Sequence, residues 1–526
     1  MNLKIKKFFL SDGDKDLNRI LSSASCFIIG ILAHGYFIFN QIYNSDSVYV
    51  PHGMSPILAF GRWAGVIINS FVRIYLDNSL VVISFNIILG LILLSLCAAQ
   101  IIEIFNVKNK FISIVIGALL PIQPFIINSI GYSFVFHFYC FALLLTVYST
   151  KLLLINKKII IPSLFIGISL GIYQAYFTFF LALIFTYYFL YVIDGQDVKE
   201  LFAFTWKVLF VTFASLVVFV VGNAITQNVF ESSMSGHFGM GSTGLPKAGI
   251  LGILLSFLKP YEYFLEIYLG KYGHVANFPI MQVCLLLIFI LFIILAFKLL
   301  KKIFYNKKIN FVIAIIFILL IPICINMQLL YVTGNIARMQ TNIYFIYLIP
   351  LLMLDRVRVD GSELNLFSIK VSNNINFLPK FITNAILYLF IFVTLHFVFV
   401  SNGEHYRLFL LQQKYERAMQ NITNLIITNK DYNDSMSIVI CGNYKTPKAI
   451  MDFKNLRPFD IHDRFSDGQF STDYSYGYAF MQMANLNVAL KIPDNEKYKY
   501  KDIPNYPNPN CVQKIDDYVL LIKFSD

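Results

Sequence analysis

The stretch ILSSASCFIIGILAHGYFIFNQ, Ile20 to Gln41, holds no Lys, Arg, Asp or Glu over a length that crosses a hydrocarbon core as one helix. Before it stands MNLKIKKFFLSDGDKDLNR, with Lys4, Lys6, Lys7, Lys15 and Arg19, so the positive-inside rule places residues 1–19 in the cytoplasm. The run is too long for a signal peptide and has no small-residue cleavage site, which predicts a retained helix. Runs of the same kind lie near 79–104, 111–131, 133–152, 159–175, 176–194, 204–226, 276–298, 309–331, 341–355 and 381–400. Each can pair its own backbone polar groups as a helix, as lipid demands. The expected architecture is therefore a polytopic α-helical membrane protein of about eleven spans, with the pairs 111–152 and 159–194 open to a re-entrant reading.

The composition agrees. Of 526 residues 57% are hydrophobic and 14% charged, far from the usage of soluble domains. The net charge of +12 does not point to nucleic acid, because residues 401–526 hold 15 basic and 15 acidic side chains and the whole excess falls before them. There it gathers in alternate gaps: Lys108 and Lys110; Lys151, Lys157 and Lys158; Lys199 and Lys207; Lys298 to Lys308; Arg356, Arg358, Lys370 and Lys380. Those gaps are assigned to the inner side. The outer side receives the 41–78 loop, the turns near 132 and 175, the loop 227–275, the turn 332–340 and the tail from Ser401.

Three regions follow: a cytoplasmic start at 1–19, a transmembrane unit at 20–400, and an exported C-terminal domain at 401–526. Within the first outer loop, SPILAFGRWAGVIINSFVRIYL is apolar but interrupted by Arg62 and Arg73, which predicts an interfacial helix; LGILLSFLKPYEYFLEIYLG, 251–270, reads as a second. In the tail, HYRLFLLQQKYERAMQNITNLI has helical periodicity, SIVICG and YVLLIKF are strand candidates, and KIPDNEKYKYKDIPNYPNPN is loop-rich, giving a small α/β or α+β domain. The seven cysteines have no metal-ligand spacing; Cys441 and Cys511 share the tail, where export would permit a disulfide.

On this topology the outer carboxylates before residue 401 are Asp46, Asp77, Glu231, Glu262 and Glu266. Asp46 follows the first helix directly and is the best placed general base; the competing reading is a solvated residue in an Asn-Ser-Asp-Ser turn. Asp77 reads as a helix cap. Glu262 and Glu266 share a helical face and are secondary acid candidates, against a wet face beside Lys259. Gln174, flanked by Tyr173 and Tyr176, could bind sugar hydroxyls while the rings stack on a pyranose, or the aromatics could be an interfacial belt. Arg338 opens a span with no acidic neighbour and calls for an anion, which a phosphate supplies. His34, His137 and His237 are isolated and read as structural.

The order SDxxY (Ser45 to Tyr49), GRW (Gly61 to Trp63), SLGIYQAYF (Ser169 to Phe177), Gly-Asn-x-x-Arg (Gly334 to Arg338) and a polar C-terminal region resembles the bacterial serotype-converting glucosyltransferases of the GtrII type. These are polytopic, GT-C-like enzymes that modify lipopolysaccharide O-antigen. The resemblance implies a bacterial inner-membrane enzyme that moves a sugar, glucose by expectation, from a polyprenyl-phosphate donor to a polysaccharide acceptor on the periplasmic face. It implies Asp46 as catalytic base, Arg338 and Arg62 as donor-phosphate ligands, and Trp63, Tyr173, Gln174 and Tyr176 as sugar-binding groups. No cofactor is called for. Ser47 follows Asp46 where relatives often carry a second acid, which weakens a carboxylate-pair metal site. The alternatives are a lipid-linked-sugar transporter or flippase, which would show internal repeats and broken helices, and a non-catalytic membrane assembly protein.

Overall fold

The structure is a computed structural model, described here for residues 14–42, 58–75, 82–231, 257–269, 278–330, 337–359, 377–442, 444–445, 469–470, 486–487, 492–493 and 495–525. Asp46, Asp77, His237 and the greater part of the 227–275 loop lie outside these residues.

The first apolar run forms α1, Lys15–Asn40, capped by the Asp14 carboxylate accepting from Leu17 N. The helices after it are α2 (Trp63–Tyr75), α3 (Ile83–Phe105), α4 (Lys110–Leu119), α5 (Pro124–Ile130), α6 (Phe136–Leu154), α7 (Ile160–Ile172), α8 (Tyr176–Ile193) and α9 (Val198–Val229). Then come α10 (Lys259–Tyr268), α11 (Pro279–Asn306), α12 (Lys308–Ile325), α13 (Phe345–Val359) and α14 (Phe377–Ile427). Seven of them, α1, α3, α6, α8, α9, α11 and α12, are long and apolar enough to cross a membrane, and α4 with α5 adds an eighth if that bent pair is one span. The protein is thus mostly helical and polytopic. The expected count of eleven is not reached by this measure among the described residues: α7 has only 13 residues, α13 only 15, and the run 381–400 inside α14 is not among the spans that qualify.

Run 111–131 is where hydropathy and geometry part most clearly. It bends by 43° between α4 and α5, at a break holding Pro121 and leading into Pro124. Proline supplies no N–H to the helical ladder, so a run that is continuous in hydropathy breaks there.

Outward-facing apolar side chains remain uncovered along α9, among them Phe202, Trp206, Phe213 and Val220, as expected for surfaces that meet lipid. Inside, α1 packs on α3, α4 and α14, α3 on α6, α6 on α7, and α7 on α9.

One end of the bundle collects the basic gaps. Glu103 at the end of α3 pairs with Arg19 of α1 at 3.3 Å and with Lys151 of α6 at 2.8 Å. Arg356 of α13 pairs with Asp194 after α8 at 3.1 Å, and the buried Asp355 carboxylate accepts from Lys108 N and Asn109 N at 3.1 and 2.9 Å. The start of α1 and the ends of α3, α6, α8 and α13 therefore meet at one end of the bundle.

Helix α14 runs unbroken for 51 residues. At about 1.5 Å per residue it is more than twice a bilayer core in length. The boundary at 400/401 thus falls inside a helix: Asn402 donates to Leu32 O at 2.8 Å, and Tyr36 meets Tyr406 and Phe409 edge-on. Nor is His34 isolated. Its Nδ1 lies 2.9 Å from His405 Nε2 and 3.1 Å from Ser401 Oγ, and its Nε2 is 2.8 Å from Pro121 O. Residues 401–405 end the hydropathic run, yet Ser401, Asn402 and His405 each bond to α1.

In the tail, β1 (Ser437–Cys441) pairs in parallel with β5 (Val519–Lys523), and β4 (Val512–Asp516) pairs antiparallel with β5; β2 (Tyr444–Lys445) and β3 (Gln469–Phe470) form a separate antiparallel pair. The two strand candidates read from sequence are thus neighbours in one sheet. Cys441 and Cys511 are buried, with no disulfide between them.

Candidate functional site

Opposite the charged end, Arg62, Tyr173, Gln174 and Arg338, all singled out in sequence, come together from three separate elements. The first is the GRW turn. Gly61 adopts φ +71°, a left-handed value that costs glycine least, and its N–H closes a turn onto Leu58 O at 2.8 Å. Arg62 then accepts the first helical bond from Val66 N, and α2 begins.

The second element is the break between α7 and α8. Tyr173 leaves the helix in an extended conformation, φ −154° and ψ 105°, so Gln174 projects from a tight turn. Its amide Nε2 donates to Phe60 O at 2.9 Å and Gly61 O at 3.1 Å, tying that turn to the residues just before Arg62.

Arg62 is caged. Its guanidinium carbon lies 5.3 Å from the Tyr173 ring centre, 5.6 Å from that of Tyr139 and 5.7 Å from that of Phe60. Nη1 donates to the Tyr139 hydroxyl at 2.8 Å, while Nε is buried with no hydrogen-bond partner. Among the described residues no carboxylate pairs with it. A cation held by ring faces and one phenol keeps most of its five donors for something else.

Arg338 belongs to the same assembly. It sits in a short 3-10 turn, Ala337–Met339, that packs on α5. Its Nη1 donates to the Tyr132 hydroxyl at 2.8 Å, its guanidinium carbon lies 4.8 Å from the Tyr132 ring centre, and its carbonyl accepts from the Tyr173 hydroxyl at 3.1 Å. Tyr173 therefore bridges the two arginines, ring to one and hydroxyl to the other.

The remaining sequence candidates are placed differently. Trp63 turns into the helix packing: a Cβ added at Gly171 of α7 or Gly222 of α9 would strike its indole. Its Nε1 is buried without a partner. Tyr176 is 1% exposed and packs edge-on against Tyr173 at 5.3 Å, so its ring has no open face on which a pyranose could stack. Glu262 and Glu266 lie on α10, whose Pro260, Phe264, Ile267 and Tyr268 face inward; Glu262 is exposed and Glu266 half-buried. Neither makes an ion pair or hydrogen bond among the described residues. No group of three or more His, Cys, Asp or Glu among the described residues could hold a metal. Asp46 falls between Ile42 and Leu58, outside the described residues.

Sequence reasoning passed over Tyr132, Tyr139 and Phe60. The available signal was weak: Tyr132 and Tyr139 flank the start of α6, where a tyrosine is equally well read as belt.

A many-spanned helical membrane protein with a paired-arginine, tyrosine-rich site at one end is the class this geometry defines. The family of Glucosyl transferase GtrII matches residues 35–354, and the chain belongs to that family. The match takes in both arginines, the GRW turn and the α7–α8 break. No curated protein and no solved structure matches the chain. Glycosyl transfer is accordingly its class of activity.

Proposed function

We propose that the protein transfers a glucosyl unit from a polyprenyl-phosphate-linked donor to a hydroxyl of a surface polysaccharide, with lipopolysaccharide O-antigen the expected acceptor, on the periplasmic face of a bacterial inner membrane. The observation that carries this reading is Arg62: a guanidinium held in an aromatic cage, with no carboxylate partner among the described residues and a buried, unmatched Nε donor. An anion must complete it, and a phosphate fits its fork. The apolar helices around the site suit a lipid-borne donor, and the grouping of basic gaps at the far end supports an outer-facing site with residues 1–19 inside.

In the reaction, Asp46 takes the proton of the attacking acceptor hydroxyl as its oxygen bonds to the anomeric carbon. The bond from that carbon to the donor phosphate oxygen breaks, and the electron pair leaves with the phosphate. Arg62 and Arg338 stabilise the charge that builds there. A lipid phosphate is a good leaving group, so one inverting displacement suffices and no metal is required by the scheme. Gln174 holds the GRW turn, and through it Arg62, in place.

The test is the surface glycan of cells with the protein, without it, and with Asp46→Asn at matched membrane levels. Glucosylated glycan in the first only is expected, because general-base loss costs about 10²–10⁴-fold. Unchanged glycan in cells lacking the protein would overturn the acceptor assignment. Wild-type transfer by Asp46→Asn would move the base elsewhere, with Glu262 and Glu266 next to be tried.

A further inference from the structure

We propose that the charged end of the bundle, far from the arginine site, binds one membrane glycerophospholipid with a singly negative headgroup, its phosphodiester in a cavity beside Arg19 and an acyl chain along the groove between α1 and α3. The cavity has a volume of about 720 Å³, a usual size for a small-molecule site, and lies among the start of α1, the ends of α3, α6 and α8, and Arg356 of α13. Four cations line it, Lys15, Arg19, Lys157 and Arg356, against three carboxylates, Asp16, Glu103 and Asp194. Arg19 meets Asp16 and Glu103, each at 3.3 Å, and Arg356 meets Asp194 at 3.1 Å. Lys15 and Lys157 form no ion pair among the described residues. The Lys157 ammonium instead lies 4.1 Å from the Phe204 ring centre. One positive charge is thus in excess, and the next charges out, Lys151 on Glu103 and Asp355 on Arg356, leave that excess unchanged. A phosphodiester cancels it, whereas a zwitterionic headgroup does not.

A soluble phosphate would meet the same charge, and the neighbouring groove is what favours a lipid. Asp16 and Arg19 also line a second hollow of about 630 Å³, whose further walls are apolar or small, among them Ile20, Ala24 and Phe27 of α1 and Ile92 and Ala99 of α3. Ser95 in that wall gives its hydroxyl hydrogen to Ile92 O at 2.7 Å, so it offers a chain no unmet donor. Ile20 and Ile92 are 63% and 43% exposed, and the groove they edge is open to whatever surrounds the bundle. Cations at the head of an apolar groove repeat the order of headgroup and chain in a phospholipid.

The experiment titrates four ligands into the purified, detergent-solubilised full chain: phosphatidylglycerol, phosphatidylethanolamine with the same acyl chains, water-soluble glycerophosphoglycerol, and a prenyl phosphate. Binding is read by native mass spectrometry and by melting temperature in wild type, the double variant Lys15→Gln/Lys157→Gln, and Ala24→Phe. Wild type is expected to bind phosphatidylglycerol about tenfold more tightly than phosphatidylethanolamine and to melt higher with it. The double variant, with its lipid-free melting temperature unchanged, should lose that preference. Ala24→Phe places a ring in the groove from an exposed position, and should weaken both diacyl lipids alike. Equal affinity for the two lipids in wild type, or a preference that survives in the double variant, would overturn the headgroup site. Wild-type lipid affinity in Ala24→Phe, or glycerophosphoglycerol binding as tightly as phosphatidylglycerol, would reduce the site to one for a soluble phosphate and overturn the lipid assignment. Prenyl phosphate bound in preference to phosphatidylglycerol would overturn it in favour of an isoprenoid carrier.

Discussion

The side-chain amide of Gln174 donates to two consecutive backbone carbonyls, Phe60 O at 2.9 Å and Gly61 O at 3.1 Å. The turn between α7 and α8 is thereby fastened to the turn that precedes α2, across more than a hundred residues of chain. Arg62 is the next residue along, so the amide sets the place of the guanidinium without touching it.

That relationship separates two substitutions at Gln174. Alanine leaves two carbonyls without their donor, a loss of about 1–3 kcal/mol. Gln174→Glu is worse, because it sets a carboxylate against the same two oxygens. Transfer activity is expected to fall about tenfold in Gln174→Ala and further in Gln174→Glu, with the melting temperature lowered in the same order. Wild-type activity in Gln174→Glu, measured on purified protein, would show that the amide does not position Arg62.

Trp63 gives a prediction with a change of sign. Its indole occupies the space beside Gly171 and Gly222, where an added Cβ has no room. Gly222→Ala should therefore lower stability, as overpacking costs about 1–3 kcal/mol. In a Trp63→Leu background the space opens. Alanine's better helix propensity, about 1 kcal/mol over glycine, should then make the same substitution neutral or stabilising. Thermal unfolding of the four proteins reads this directly. If Gly222→Ala destabilises equally in both backgrounds, the indole is not what fills the gap.

How much of this was legible in the sequence varies with the kind of interaction. A span satisfies its backbone within itself, so the apolar runs 20–41, 133–152 and 176–194 fall within a few residues of α1, α6 and α8. Hydropathy does not register a helix break, and run 111–131 is bent where its prolines fall. Nor does it show that a polar stretch can be paid for by a neighbour, as Ser401 and His405 are by His34. At the site, Arg62, Tyr173, Gln174 and Arg338 stood out because charge and amide groups are conspicuous among apolar residues. Tyr132 and Tyr139 did not, since tyrosine at a membrane boundary is ordinary and only the tertiary fold sets each under an arginine. Trp63 enters as a sugar-binding group through the resemblance alone, and its packing beside Gly171 and Gly222 leaves no mark in a hydrophobic pattern.

Arg338 allows phosphate binding to be told from membrane anchoring. Its guanidinium faces the Tyr132 ring at 4.8 Å while Nη1 reaches the Tyr132 hydroxyl at 2.8 Å, an arrangement that uses the planarity of the group. Lysine keeps the charge but has neither the plane nor the fork, so it cannot face the ring, hold the phenol and grip a phosphate together. An arginine that merely anchors a helix at the interface is replaced by lysine with little effect, because both side chains reach headgroup depth. Arg338→Lys is therefore expected to insert and fold as wild type while its KM for a polyprenyl-phosphate-linked donor rises about tenfold. Arg338→Ala should lose more, in kcat as well as KM, since no positive charge remains to meet the leaving phosphate. The measurement is a donor titration of transfer activity in purified, detergent-solubilised protein. A lysine variant that follows the wild-type curve throughout, beside an alanine variant that fails to insert, would make Arg338 an anchor and leave the donor phosphate to Arg62.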